Sequence, residues 1–317
     1  MSACTPQQSR VSAPLFGLFC LGSYLLSLSY GSTFLLSLLI GSRGGNEHDA
    51  GTVISTAMLS TFVAVIGSGH LSDRLGAARS VAVFGCLLAV ASLGFALTPG
   101  VGPGLLFFGL TLGLGWGVFY TLGPIIVAML VEPAQRARYF ALLSGSMMTG
   151  IGSGPLLGRL ASALGYPLTS AFLIAAGASL LGVLIFWRLG GRLRQQANHL
   201  GTAAASITWA GTAQVLSSRA VWPILMVGLG GCVFGGLSSF QTSYGPSRGV
   251  DYSLFFLGFM SAAIASRLLI AGIVVKRDPY RAACLLSGLM LVSILLFLFA
   301  VDSSASYLLA AAVSYTH

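Results

Sequence analysis

Apolar runs of about 20 residues, the length of a helix crossing a bilayer's hydrocarbon core, recur along the chain with short polar turns between them. They fall at 14–40, 51–71, 80–97, 104–131, 139–164 and 168–187, which predicts six membrane helices. A polar stretch, 188–219, follows and holds Arg192, Arg194, Gln195, Gln196, Asn198 and His199. It is the only long connection and divides the chain in two. Further runs lie at 220–240, 252–275 and 282–300, and a last one covers 305–317, about 13 residues and too short to cross as a helix. Either the chain is truncated or its last segment does not span. The pattern predicts an all-α membrane protein of about nine full transmembrane helices plus a partial tenth. Its divisions are a six-helix bundle over 1–187, a central loop over 188–219 and an incomplete second bundle over 220–317.

Composition agrees with the pattern. Charged residues make up 7% of the 317, hydrophobic residues 56%, and mean hydropathy is +0.90. A soluble domain carries about 25% charged residues, so this chain cannot cover a water-facing surface. Its 42 glycines suit a membrane bundle, where small residues let helix backbones approach closely.

The formal charge of +9 does not indicate nucleic acid, because the basic residues are scattered through short turns rather than gathered in a stripe. They indicate orientation instead. If the helices alternate, Arg10, Arg74, Arg79, Arg136, Arg138, Arg188, Arg192, Arg194, Arg219, Lys276, Arg277 and Arg281 share one side, against Arg43 and Arg248 on the other. Cytoplasmic turns are enriched in Lys and Arg, so the N-terminus and the central loop are expected in the cytoplasm and the chain in the inner or plasma membrane. Arg159 and Arg267 fall inside apolar runs. The five cysteines, Cys4, Cys20, Cys86, Cys232 and Cys284, include no CxxC pair, and those in apolar runs read as small buried residues.

Between the second and third runs lies Gly69-His70-Leu71-Ser72-Asp73-Arg74-Leu75-Gly76-Ala77-Ala78-Arg79, a polar hinge that folds two membrane helices into a hairpin. Aligned on Gly272, the second half places Lys276 opposite Asp73, Arg277 opposite Arg74 and Pro279 opposite Gly76, as a decayed internal duplication would.

The hinge resembles the loop motif of the major facilitator superfamily: a glycine, three residues, Asp-Arg-x-Gly and a downstream basic residue, between helices two and three on the cytoplasmic side. A second stretch, Gly150-Ile151-Gly152-Ser153-Gly154-Pro155-Leu156-Leu157-Gly158, is similar to the glycine and Gly-Pro pattern of that family's antiporters in helix five. The resemblance implies two pseudosymmetric six-helix bundles around a central cavity that opens alternately to either side. It makes Gly69, Asp73, Arg74, Gly76 and Arg79 a conformational latch working against the end of helix eleven. Gly150, Gly154, Pro155 and Gly158 become a hinge or packing face, since small residues four apart line one side of a helix and a proline removes one backbone hydrogen bond. Where many proton-coupled members carry a basic residue early in helix four, this chain has Gly109, followed by Gly113, Gly115 and Gly117.

Arg267 stands out within the apolar spans. An arginine well inside such a run costs at least about 2.5 kcal/mol unless it faces a cavity or partner, so it is read as facing the cavity, as an anion-binding or charge-coupling group. Tyr30, Trp116, Tyr120 and Gln241 are the other cavity candidates. No carboxylate lies within the runs. Glu47, His48 and Asp49 share one outer turn, where three consecutive residues point apart, and are read as a solvated loop rather than a metal site. No Gly-Lys-Ser or Gly-Lys-Thr phosphate loop occurs, which excludes an ATP-driven pump of that type. The expectation is a secondary active transporter of a small organic solute, not an enzyme, working without cofactor or metal. Its partners are the solute, the bilayer and, where an ion gradient drives it, protons. The helix-five pattern tilts direction towards efflux by antiport. A truncated, non-transporting relative is the alternative.

Overall fold

The computed structural model describes residues 13–133, 135–199, 214, 217–219, 221–267 and 279–314, and within these the regular structure is helical with no strand. The first half comprises α1 (Ala13–Gly31), a 3₁₀ turn (Ser32–Leu35), α2 (Leu36–Ser42), α3 (Glu47–Leu75), α4 (Ala77–Leu97), α5 (Pro103–Leu130), α6 (Arg136–Ala163) and α7 (Thr169–His199). The second comprises α8 (Val221–Ser239), α9 (Gln241–Ser247), α10 (Ser253–Ala265), α11 (Pro279–Phe299) and α12 (Ser304–Ser314). Among the described residues, six helices are long and apolar enough to cross a bilayer: the α1–α2 unit, Ala13–Ser42, and α3 to α7. Ser253–Ala265, Cys284–Phe299 and Ser304–Ser314 are shorter apolar helices. Arg10, Gly272, Lys276, Arg277 and half of the central connection lie outside the described residues, so nearly all of the second copy of the hinge repeat does too.

The predicted polar hinge is a single residue. Helix α3 continues through Leu75 and α4 starts at Ala77, so Gly69, Asp73 and Arg74 are helical and only Gly76 turns the chain. Its φ of +84° is a conformation that L side chains rarely adopt, which is why glycine stands there. Ser80 Oγ donates to the carbonyls of Leu71 (3.1 Å) and Gly76 (3.0 Å) and ties the two helix ends together. Glu47, His48 and Asp49 are likewise not a loop. They form the first turn of α3, where Asp49 and Asn46 close a reciprocal capping box.

The first span is interrupted where one continuous helix was expected. Ser32 Oγ donates to Ser29 O (2.7 Å) and Thr33 Oγ1 to Tyr30 O (2.6 Å), and such side-chain bonds compete with the helical ladder and tighten it locally to 3₁₀.

Two glycine ladders hold the first bundle. Along α5, a Cβ on Gly109, Gly113 or Gly117 would lie 2.9 Å from Val53 O, 2.0 Å from Ala57 O and 2.6 Å from Thr61 O of α3. The backbones meet there with no room for a side chain, so a basic residue at position 109 would force α3 and α5 apart. Along α6, Gly150 and Gly154 make the same approach to α1 and the start of the 3₁₀ turn, while Gly158 leaves room for the Leu35 side chain. Helix α4 packs on α5 and α7, and α7 also on α1. Cys86, Cys232 and Cys284 are exposed on helix surfaces rather than buried. In a bilayer the apolar solvent surrounds the bundle, so a thiol needs no core to avoid water.

Candidate functional site

Alternation of the spans puts Gly76 at one end of the bundle, here the hinge face, and the turns at 43–46, 98–102, 164–168 and 248–252 at the other, the far face. The two halves meet along a seam formed by α6, the 3₁₀ turn and α2 on one side and by α8, α9 and α10 on the other.

Helix α6 is the spine of that seam. One of its faces carries the glycine ladder against α1, and another runs antiparallel to α10. Three contacts set the register. Arg267 Nε donates to Ser144 Oγ at 2.6 Å, a Cβ on Gly152 would sit 3.1 Å from Met260 Cβ and Sδ, and Arg159 Nε lies 2.6 Å from Asp251 Oδ2. As the position rises along α6 it falls by nearly the same amount along α10. The pair is therefore polar at both ends and closely packed between. Both arginines of the apolar runs sit at those ends.

Arg267 is half-buried in the π-helical residues 266–267 that follow α10 and also donates through Nη1 to Ala263 O at 3.2 Å. Such a turn inside a helix is frequently found at functional sites. At the far face, Asp251 Oδ1 accepts from the Ser253 backbone N–H at 2.9 Å, an Asx turn that leads into α10. Partial burial by itself raises the Asp251 pKa, but the hydrogen bonds from Arg159 and Ser253 and the guanidinium charge outweigh it and hold the carboxyl below its usual value.

The seam is also closed near the far face by apolar and neutral contacts. Phe34 stacks on Phe256 with centroids 5.4 Å apart, Ser37 and Thr242 share a 2.7 Å hydrogen bond, and Thr242 Oγ1 donates to Phe34 O at 3.0 Å. Beside them Glu47, His48, Thr52, Ser55, Thr56 and Phe240 line an open groove of about 550 Å³.

Three of the predicted cavity residues come together. Tyr30 stacks on Trp116 (centroids 4.1 Å, planes 12° apart), and Tyr120 lies 5.7 Å beyond. Gln241 belongs elsewhere, at the break between α8 and α9, where its Oε1 accepts from the buried Tyr307 hydroxyl at 2.7 Å. Trp116 and Arg267 nonetheless lie at similar depth. Counting about 1.5 Å per residue from the far-face helix starts Pro103 and Ser253, each is about 20 Å in. Of the latch residues, Asp73 and Arg74 are exposed in the last turn of α3, Arg79 is exposed in the first turn of α4, and none of the ion pairs among the described residues includes Asp73. A carboxylate at a helix C-terminus opposes the dipole by a few tenths of a kcal/mol. Gly150, Gly154, Pro155 and Gly158 are all buried in α6.

Arg43 departs from the charge rule for a structural reason: its Nη2 donates to the carbonyls of Phe95 (2.7 Å) and Ala96 (3.3 Å) and caps the end of α4. Sequence reasoning missed Asp251 and Ser144. Asp251 carried one usable signal, an acidic residue just before a helix start.

Solved structures share this arrangement. The E. coli proton:xylose symporter XylE aligns with a TM-score of 0.67 and 15% identity over 95% of this chain and 79% of that one. The human organic anion transporter MFSD10 gives 0.63 and 17% over 95% and 83%. The E. coli fucose:proton symporter FucP gives 0.59 and 15% over 96% and 82%. At such identities the likeness shows the fold. No curated protein matches the sequence significantly. The family model described as Major Facilitator Superfamily matches residues 15–316, nearly the whole chain. With that match and a shared fold, the chain belongs to the Major Facilitator Superfamily of membrane transporters.

Proposed function

We propose that this chain carries a small organic solute across the inner or plasma membrane by alternating access, in a cavity between the bundles of 1–187 and 220–317, with the N-terminus and the 188–219 connection cytoplasmic. What supports the cavity reading most is Arg267, a cation about 20 Å deep at the seam, at the depth of the Tyr30–Trp116–Tyr120 stack. A guanidinium offers paired donors to a carboxylate or sulfonate, and the stack offers aromatic faces to a planar body. The favoured solute is accordingly an organic anion with a flat apolar part.

The hinge at Gly69, Asp73, Arg74, Gly76 and Arg79 sets the balance of the two open states, and the unfavourable place of Asp73 at a helix C-terminus supports a role other than local stability. The helix-five glycines favour efflux, with protons as the exchanged ion. Uptake by symport is the second reading, because XylE and FucP are named as proton symporters.

The test is flux of radiolabelled benzoate, benzamide and benzylamine in proteoliposomes, with and without an imposed pH gradient. Benzoate is expected to move, with the gradient's sign separating antiport from symport. Arg267→Ala should cut benzoate flux by tenfold or more while leaving membrane insertion intact. Full flux in that variant would remove Arg267 from the site. No flux of any probe by the unaltered protein would favour a non-transporting relative.

A further inference from the structure

The far-face end of the α6–α10 pair has no part in the solute reading above, yet it joins the two halves through opposite charges. Arg159 and Asp251 meet at 2.6 Å with side chains 47% and 34% exposed, within reach of water. Asp251 is held on the other side by the Ser253 N–H, which fixes its carboxylate at the start of α10. The middle of the pair, Gly152 against Met260, is closely packed: a Cβ on Gly152 would lie 3.1 Å from Met260 Cβ and Sδ, so only the outer part of that chain can yield. The hinge-face end is the Arg267–Ser144 bond at 2.6 Å.

This is a rocker. From Gly152 to either polar end is about 10–12 Å along α6, so tilting the two helices by about 10° around the middle moves the ends by roughly 2 Å. That breaks one 2.6 Å contact and leaves the other.

We propose that Arg159 and Asp251 form a charge clasp that holds the far-face opening closed, with Gly152–Met260 as its fulcrum. The clasp rests on the alternating-access reading only in what the opening is for. Its ion pair is half-exposed, so it biases the open and closed populations instead of locking them, and its loss should raise opening twofold to fivefold. It is not a proton switch. The carboxyl's pKa is lowered, so the pair's contribution is present above the ordinary carboxylate range and fades only as pH falls through the lowered value. Its titratable neighbours, Arg159, Tyr252 and Tyr307, keep their charge states over the same range, the two tyrosines because burial raises their pKa. The clasp's own contribution to closure should therefore be flat between about pH 5 and 8, so the effect of Asp251→Asn on labelling should be the same at both ends of that range.

The experiment uses the full chain with its five cysteines replaced and Met260→Cys introduced as reporter. A membrane-impermeant maleimide is added from each side of sealed vesicles in turn. Asp251→Asn and Arg159→Gln should each raise labelling from the far face twofold to fivefold, and Arg159→Asp with Asp251→Arg should return it towards the unaltered level. An asparagine oxygen can accept the same bond from the Ser253 N–H, so Asp251→Asn keeps the turn into α10 folded, and monodisperse elution checks this. Unchanged labelling in both single variants, or a charge swap labelled as strongly as they are, would overturn the clasp. Labelling that shifts without any solute flux would leave the clasp standing and remove the transport reading; flux with unmoved labelling would do the reverse.

Discussion

Helix α6 carries two contacts of opposite character on one rod. Towards α1 and the 3₁₀ turn it offers Gly150 and Gly154, where backbone meets backbone, and Gly158, which the Leu35 side chain fills: a Cβ on Gly154 would be 2.3 Å from the Gly31 carbonyl carbon and 2.4 Å from the Ser32 nitrogen. Towards α10 it offers a serine, a glycine facing a methionine chain, and an arginine reaching an exposed carboxylate. The first contact gains from continuous dispersion and has nothing that water could replace. The second is made of groups that water can satisfy once they part. The alternating access proposed above needs rigid bundles and a separable seam, and the two faces of α6 would supply one of each.

Three substitutions sharpen the contrast. Gly154→Ala should be the most damaging, costing about 3 kcal/mol or more, because two backbones would have to separate; thermal unfolding in detergent reads it, and a Tm within a few degrees of the unaltered protein would break the comparison. Ser37→Ala removes a seam hydrogen bond to the buried Thr242. About 1 kcal/mol is expected, since Thr242 keeps its bond to Phe34 O, and maleimide access from the far face should rise more visibly than Tm falls. Gly152→Ala puts a methyl against Met260, whose chain can turn aside. Its cost should stay below about 1 kcal/mol, so the same change two residues from Gly154 separates the two faces within one helix.

Much of this was legible in the chain. The first six spans were visible because a bilayer imposes a length and a polarity on any helix that crosses it, and all six appear with ends shifted by a few residues, apart from the long extension of α7 to His199. The hinge was read too long, since helical propensity carries α3 through charged residues to the one glycine with positive φ. The stack of Tyr30, Trp116 and Tyr120 could be suspected from spacing on single helices, but not assembled, because α1 and α5 are far apart in the chain. Arg159 looked like an oddity in an apolar run until Asp251, 92 positions later, took its charge.

By itself the sequence determined that this is a helical membrane protein, where its first helices run and which family it resembles. Those properties are local: hydropathy over one span, a glycine at one turn, a motif in one segment. Which faces touch was decided only by the tertiary structure. Whether a glycine packs a permanent joint or a separable seam, and whether an arginine meets a serine or an aspartate, depends on the register of two antiparallel helices, a relation between distant segments that no single stretch of chain encodes.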